Sequence, residues 1–426
     1  MTAHYSVAIV GGGQAGLSMS YCLQERGIDH IILEKNQIGY SWRSLRWDSF
    51  CLVTPNWQCT LPGYHYLGDD PDGFMQRDEI VKYIEDYAAS FNPPIKEGVE
   101  VLRLHRPDGK IFALKTSIGD FTCDRVVIAT GGYHRPKIPA LSERLSPDIR
   151  QIHSSEYKNP QSLPDKPLLI VGTGQSGCQI AEDLHLAGKQ VHLCVGSAPR
   201  SPRKYRGKDV VDWLDKMGYY DLSIDRHPDK QKVRTKTNHY VTGRGGGREI
   251  DLRHFALEGM RLYGHLEEIR GDRLQFRDSL KQNLDAADAV AESIKRTIDN
   301  FIEKNDISAP VETPYQPAWQ PKTEVLELNY RDADIGTVIW CTGYHSNYEW
   351  IDVPVFDGKG YPGHDRGVTS VQGLYFLGLP WLYTWGSGRF SGIARDATYL
   401  ADRIATARPA PNSSYAKAID QAALGS

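Results

Sequence analysis

Two stretches of this chain share one grammar. Tyr5 to Val10 is an apolar run ending in Gly11-Gly12-Gly13-Gln14-Ala15-Gly16, followed by a helix-like Leu17 to Arg26 and a second apolar run, Ile31 to Leu33. Leu168 to Val171 leads in the same way into Gly172-Thr173-Gly174-Gln175-Ser176-Gly177, a helical pattern from Cys178 to Leu186, and an apolar Val191 to Val195. Strand, glycine turn, helix and strand within about 30 residues make a βαβ unit whose helix N-terminus faces a pyrophosphate. The first glycine permits the turn, the second lets the backbone approach the phosphates, and the third lets helix and strand pack closely. Two such units imply an α/β chain with two doubly wound Rossmann-like dinucleotide-binding domains.

The residues just past each unit separate their ligands. Glu34 stands directly after the second strand of the first unit. A carboxylate there accepts from a ribose hydroxyl and repels a 2′-phosphate, so this pocket is expected to hold FAD or NAD, with Gln14, Ala15 and Lys35 beside Gly11, Gly13, Gly16 and Glu34. No acid stands at the matching place in the second unit. Instead "SAPRSPRKYRGK" brings Arg200, Arg203, Lys204, Arg206 and Lys208 close together. A 2′-phosphate needs such cations, and Arg can grip it bidentately. The alternative is a solvated basic loop. On the first reading the second pocket takes NADPH, with Gly172, Gly174, Gln175, Ser176, Gly177 and Ser197 as its contacts and Arg200 or Arg203 on the phosphate. Electrons would then pass from NADPH to FAD.

Bulk properties narrow the partners. At 426 residues the chain has room for two or three compact domains. A formal charge of −3, from 50 basic and 53 acidic residues, offers no attraction for nucleic acid or an anionic membrane, so a small-molecule substrate is expected. Seven cysteines with no C-x-x-C pattern fit a reducing, cytoplasmic setting. The start "MTAHYS" has no basic n-region, and the apolar run after it breaks at Gly11, so neither a signal peptide nor a spanning helix is expected.

Three further stretches carry a resemblance. "DRVVIATGGYHRPKIP" (124 to 139) and "IGTVIWCTGYHSN" (335 to 347) are apolar strands ending in Thr-Gly, and "VQGLYFLGLPWLYTWGSGRFSGIARDA" (371 to 397) reads as strand, Gly/Trp-rich loop and helix. Together with "GYSWRSLRWDSFCLVTPNWQCTLPGY" (39 to 64), they make the chain resemble the flavin-containing monooxygenases, a class B flavoprotein monooxygenase family. The stretches 243 to 264 and 379 to 397 look most like a bacterial subgroup whose genes often accompany nitrilase-type genes. The resemblance implies FAD and NADPH as cofactors and O2 as co-substrate. NADPH would reduce FAD, a C4a-peroxyflavin would form, and one oxygen atom would pass to a small, nitrogen-containing molecule. It also implies flavin contacts at Trp42, Arg43 and Gln58, and cofactor contacts at Val101, Thr130, Gly131, Thr342, Gly343, Gly378 and Trp381. Thr54 and Asn56 share the place of the polar group near C4a. Trp47 and Asp48 are read as flavin-facing or structural. In the linker, His153 and Tyr157 keep the family spacing, while Pro147 and Ile149 stand where Phe and Gly are expected; His153 is read as a linker organiser.

The cofactor carries the difficult chemistry in such enzymes, which fits the lack of any Ser-His-Asp, paired-carboxylate or metal-ligand spacing. The rivals are an NADPH oxidase releasing hydrogen peroxide, a disulfide reductase using Cys51 and Cys59, and a redox sensor without turnover.

The expected layout is an FAD-binding domain in two parts, 1–160 and 336–426, with an NADPH-binding domain at 161–335 inserted between them. Leu280, Leu284, Ala287, Ala291, Ile294, Ile298 and Phe301 alternate steps of four and three, predicting an amphipathic helix over 279–304. Its stripe is read as core, with a homodimer seam or substrate lid as alternatives. "APVETPYQPAWQP" (309 to 321) reads as an extended return loop, and "GRGGGRE" (243 to 249) as a flexible connection or an anion nest.

Overall fold

The structure is a computed structural model and describes residues 3–107 and 109–407. The apolar run Ala3–Val10 becomes the centre of a ten-stranded sheet. It runs parallel to His30–Leu33 on one side, with Ile9 opposite Ile32, and to Gly119–Ile128 on the other, with Ile9 opposite Val127. Leu374–Phe376, from far along the chain, pairs parallel with Gly119–Ile128 as well. Val7 to Val10 are all buried, as a continuous apolar strand must be when both faces are covered. Helices Gln14–Gln24, Arg77–Phe91 and Ile393–Thr406 cover one face through Leu17, Ile80, Tyr87, Ala397 and Leu400. Strands Val101–His105 and Phe112–Thr116 and the segment around Val353 and Leu379 build the core on the other.

The second unit is a five-stranded, all-parallel sheet in the order Arg150–His153, Thr337–Trp340, Leu168–Val171, Val191–Cys194, Arg261–Tyr263. Helices Gln175–Leu186 and Leu280–Lys304 pack on one face, and an antiparallel layer of Leu266–Arg270, Arg273–Phe276 and Glu327–Asn329 on the other.

This pairing moves both domain boundaries expected from the sequence. The expected layout puts Arg150–His153 in the first FAD segment and Thr337–Trp340 in the second, yet they pair with each other, Ile152 opposite Ile339, inside the second sheet. A buried strand such as Thr337–Trp340 needs ladder partners on both sides, and only this sheet supplies them. The chain therefore crosses between sheets at 129–149 and 341–350. The two crossings touch: Arg135–Pro136 pairs antiparallel with Tyr344–His345. The expected last segment, 336–426, runs past 407 to residues outside the described ones.

The helix expected at 279–304 forms at Leu280–Lys304. Leu280, Leu284 and Ala287 join the core under the second sheet, and Ile298 and Ile302 pack with Val210 and Trp213. Its stripe is thus core, with Ile294 and Phe301 half-buried at the edge. No described helix is long and apolar enough to cross a membrane.

Candidate active site

At the first glycine loop the chain leaves its strand through Gly11, at φ +107°. A Cβ there would lie 2.7 Å from the Ala129 carbonyl oxygen, and one at Gly16 would lie 1.9 Å from that of Gly11, so both positions require glycine. Gly13 differs: no protein atom lies within 4 Å of its missing Cβ, which leaves an open cradle. Helix Gln14–Gln24 begins with neither a side-chain cap nor an acidic residue in its first turn. Its free N–H groups and positive dipole end are left for an anion. The Glu34 carboxylate accepts from the backbone N–H of Gly12 at 2.6 Å and of Asn36 at 2.8 Å.

The second loop repeats this geometry. Gly172 has φ +104°, a Cβ on it would lie 2.7 Å from the Cys341 carbonyl oxygen, and one on Gly177 would lie 1.9 Å from that of Gly172. Helix Gln175–Leu186, from Gln175 and Ser176 onward, is likewise uncapped and free of acid in its first turn. The equal distances mean that Thr337–Trp340 serves the second loop as Gly119–Ile128 serves the first. Each Thr-Gly segment therefore belongs to its own pocket, Thr130-Gly131 to the first and Thr342-Gly343 to the second. Gly131 and Gly343 both have positive φ. The Gly131 carbonyl accepts from the Tyr348 hydroxyl at 2.8 Å, and Thr342 Oγ1 donates to the Lys137 carbonyl.

The closing loop docks on the first pocket. A Cβ on Gly378 would lie 2.8 Å from that of Ala15. Gln14 Nε2 donates to the Gly388 carbonyl at 3.1 Å, and its Oε1 accepts from Trp42 Nε1 at 3.3 Å. Trp42 stacks on Phe390 at 5.6 Å. Ser387 Oγ donates to Asp396 Oδ2 at 2.5 Å while accepting from the backbone N–H of Tyr383 and Thr384. Burial pushes the Asp396 carboxyl up, against its hydrogen bond to Ser387 and the nearby Arg366. Asp396 has no signal in the sequence, because a lone acid in a helix pattern reads as surface. Thr130 Oγ1 and Gln58 Oε1 are buried with no protein partner among the described residues. Those orphaned atoms, the Gly13 cradle and the uncapped helix fit a bound dinucleotide.

Several expected contacts are used otherwise. Arg200 is 1 % exposed, with Nη1 3.1 Å from Glu249 and 3.7 Å from Asp251, and Nη2 2.9 Å from Asp288. Arg203 is bidentate on Asp209 at 2.7 and 2.6 Å and donates to the Val53 carbonyl at 2.6 Å. Both guanidiniums are neutralised inside the protein, so neither is available to a ribose phosphate; Ser197 stays exposed nearby. Arg43 pairs with Glu85 at 2.5 Å and Lys35 with Glu100 at 2.7 Å, both at the surface. Val101 faces the core of the first sheet. Asn56 staples a loop, donating to the Asp70 carbonyl at 2.9 Å and accepting from the Met75 N–H at 2.7 Å, while Thr54 is half-buried. Trp381, at φ +51°, packs against Ile224 and Val233, and its carbonyl accepts from Arg234 Nε at 3.2 Å, so it anchors the inserted segment.

The glycine run at 243–249 is pinned at Gly243 and Gly247, while Gly245 and Gly246 between them are exposed. A Cβ on Gly243 would lie 2.0 Å from the Leu52 carbonyl oxygen, and one on Gly247 2.5 Å from Phe74. Its flanking Arg244 and Arg248 reach Asp183 at 2.6 Å and Glu182 at 3.0 Å on helix Gln175–Leu186. Asp183 also accepts from the Tyr157 hydroxyl at 2.6 Å and from Ser49 Oγ at 2.7 Å, which ties linker, second unit and flavin-side segment to one carboxylate. Cys51 and Cys59 are buried free thiols, pushed up by burial to about 11 and about 12. Neither forms a thiolate readily at neutral pH.

A family profile described as pyridine nucleotide-disulphide oxidoreductase matches residues 8–253. A Geobacillus kaustophilus protein named uncharacterized oxidoreductase CzcO-like is 35% identical over 93% of this chain and 97% of its own. The probable indole-3-pyruvate monooxygenase YUCCA4 of Arabidopsis thaliana is 31% identical over 93% of this chain and 89% of its own. Among solved structures, the flavin-containing monooxygenase from Stenotrophomonas maltophilia superposes with a TM-score of 0.62 at 18% identity, covering 95% of this chain and 98% of that one, and so shares the fold. With a family profile spanning more than half its length and monooxygenase relatives aligned over nearly all of it, the chain belongs to the flavin-containing monooxygenase-like oxidoreductases, whose cofactors are FAD and NADPH.

Proposed function

We propose that the protein is an FAD-containing, NADPH-dependent monooxygenase acting on a small, nitrogen-containing molecule. The observation that carries this reading is the paired geometry of the loops: Gly11 against Ala129 and Gly172 against Cys341, at one distance, with the crossings 135–136 and 344–345 between them. One chain with two such pockets across one hinge is built to bring a nicotinamide to a flavin. The cofactors would supply the redox chemistry: substrate, NADPH, one proton and O2 would give the oxygenated product, NADP⁺ and water.

The residues bind and orient. Gly11, Gly13 and Gly16 with the first helix N-terminus take the FAD pyrophosphate, Glu34 the ribose, and Thr130 and Gln58 offer their unpartnered oxygens. Gly172, Gly174 and Gly177 do the same for NADPH. Gln14 couples the first loop to Gly388 and Trp42, and so holds the closing loop over the flavin side. The nitrogen-containing class rests on the resemblance at 243–264 and 379–397. The high thiols of Cys51 and Cys59 disfavour disulfide reduction. The test is product analysis under ¹⁸O2 with NADPH over amines, hydroxylamines, thioethers and ketones. One labelled oxygen per product supports the reading; one peroxide per NADPH with every compound makes the protein an oxidase.

A further inference from the structure

Most guanidiniums enclosed by this protein face carboxylates. Arg200 has Glu249 and Asp288, Arg203 has Asp209, Arg253 has Asp285 and Asp288, and Arg366 has Asp396. Arg46 and Arg389 differ: neither has a carboxylate at ion-pair distance among the described residues. Arg46 Nη1 donates to the neighbouring Leu45 carbonyl at 3.1 Å, and its guanidinium lies over the rings of Trp42 and Phe50 at 5.3 and 5.4 Å. Arg389 donates to the Trp385 carbonyl and to Asn238 Oδ1 at 3.1 Å, and lies 4.0 Å over the Trp385 ring. Both side chains are half-buried, so each keeps a face open to an incoming molecule.

The two cations share surroundings. Trp42, under Arg46, stacks at 5.6 Å on Phe390, the residue next to Arg389. The rings of Tyr133 and Tyr344 are 5.3 Å apart, and those of Tyr220 and Trp385 4.7 Å. Here the flavin-side segment, the two crossings, the closing loop and the insert meet. Desolvation pulls both guanidiniums below the usual arginine range. Tyr219 and Tyr220 cannot neutralise Arg389, since burial holds their phenols protonated. A half-open guanidinium on an aromatic face, with no carboxylate at ion-pair distance among the described residues, can take an anion from outside the chain.

We propose that Arg46 and Arg389 form an anion-binding subsite at this junction and that a carboxylate of the substrate fills it, with the tyrosine and tryptophan rings holding the flat remainder. The two pyrophosphates already have their own cradles at Gly13 and Gly174, at uncapped helix ends. Arg46 and Arg389 lie instead on aromatic faces. This rests on the monooxygenase reading and adds the charge of the substrate to it.

The experiment needs no turnover, so it stands or falls apart from oxygenation. Oxidised flavoprotein is titrated, by flavin absorbance, with matched acids and amides: benzoate and benzamide, phenylacetate and phenylacetamide, 4-aminophenylacetate and its amide. At least one acid should bind tenfold or more tighter than its amide. Arg46→Gln and Arg389→Gln should each reduce that preference by roughly tenfold or more, with Arg389→Lys restoring part of it, at unchanged flavin content. No acid preferred over its amide overturns the proposal. So does a loss of NADP⁺ affinity with the acid preference intact, which assigns the cations to the coenzyme phosphates, or loss of bound flavin from both variants, which assigns them to the FAD pyrophosphate.

Discussion

The Nε2 of His153 lies 3.0 Å from the carbonyl oxygen of Gly343, the glycine that ends the second Thr-Gly segment. The Ser155 backbone N–H donates to His153 Nδ1 at 3.2 Å, so the ring proton sits on Nε2 and is donated to Gly343. A histidine at the end of strand Arg150–His153 thus holds a glycine of the second crossing. Burial keeps this ring below the ordinary histidine range, and so neutral. His153→Ala removes one of two hydrogen bonds on the Gly343 carbonyl, which still accepts from the Lys137 N–H at 2.9 Å, and is expected to cost about 0.5–1.5 kcal/mol in urea unfolding, while His153→Gln, whose amide can donate to Gly343, recovers part of it. Equal stability of wild type and His153→Ala would mean the bond contributes nothing to the hinge.

Gly13 and Gly16 separate flavin binding from folding. A Cβ at Gly13 meets no protein atom, whereas one at Gly16 meets the Gly11 carbonyl oxygen at 1.9 Å. Gly13→Val should therefore fold, with the circular dichroism of the apoprotein, and purify without flavin because its side chain fills the cradle. Gly16→Ala should lose both. A yellow Gly13→Val protein removes the first loop from the flavin site.

Arg200 carries a stability defect where the basic run alone predicts a coenzyme defect. Arg200→Ala leaves half-buried Glu249, Asp251 and Asp288 without their shared guanidinium, although Asp288 keeps Arg253 at 2.8 Å, and is expected to cost about 1–3 kcal/mol. The NADPH-to-NADH ratio of kcat/KM in the folded fraction should stay at its wild-type value. Full stability with a collapsed ratio would restore the phosphate role.

The glycine loops, Glu34 and the stripe of Leu280–Lys304 are legible in the sequence because each is local: a turn, a spacing, a period within one element. The fate of Arg200 is not, since its partners are some 50 to 90 positions away and only folding brings them in. The placement of Thr337–Trp340 fails for the same reason, as an apolar strand does not state which sheet it joins. Asn56 reads as chemistry because Asn beside Pro55 looks the same whether it meets a ligand or staples a loop. Arg46 and Arg389 carry no sequence signal at all. Each lies on an aromatic face with no carboxylate at ion-pair distance among the described residues, and Trp42 stacked on Phe390 joins the two, which only the folded arrangement shows.

His192 makes stability depend on pH. It is fully buried, its Nδ1 lies 2.8 Å from the Tyr263 hydroxyl, and its Nε2 has no partner among the described residues. Burial, with Arg261 nearby, lowers it to about 4. The unfolded chain binds this proton near pH 6.5 and the folded chain only near 4, so its contribution is complete above 6.5 and is lost as the pH falls from 6.5 to 4. At about 1.36 kcal/mol per pH unit that loss is about 3 kcal/mol. His192→Asn keeps a polar atom toward Tyr263 and removes the titration. Urea unfolding of both proteins at about pH 6.5, 5.5 and 4.5 should show the wild type losing stability more steeply, while groups common to both cancel. Parallel pH profiles would mean that His192 takes up its proton without disturbing the sheet.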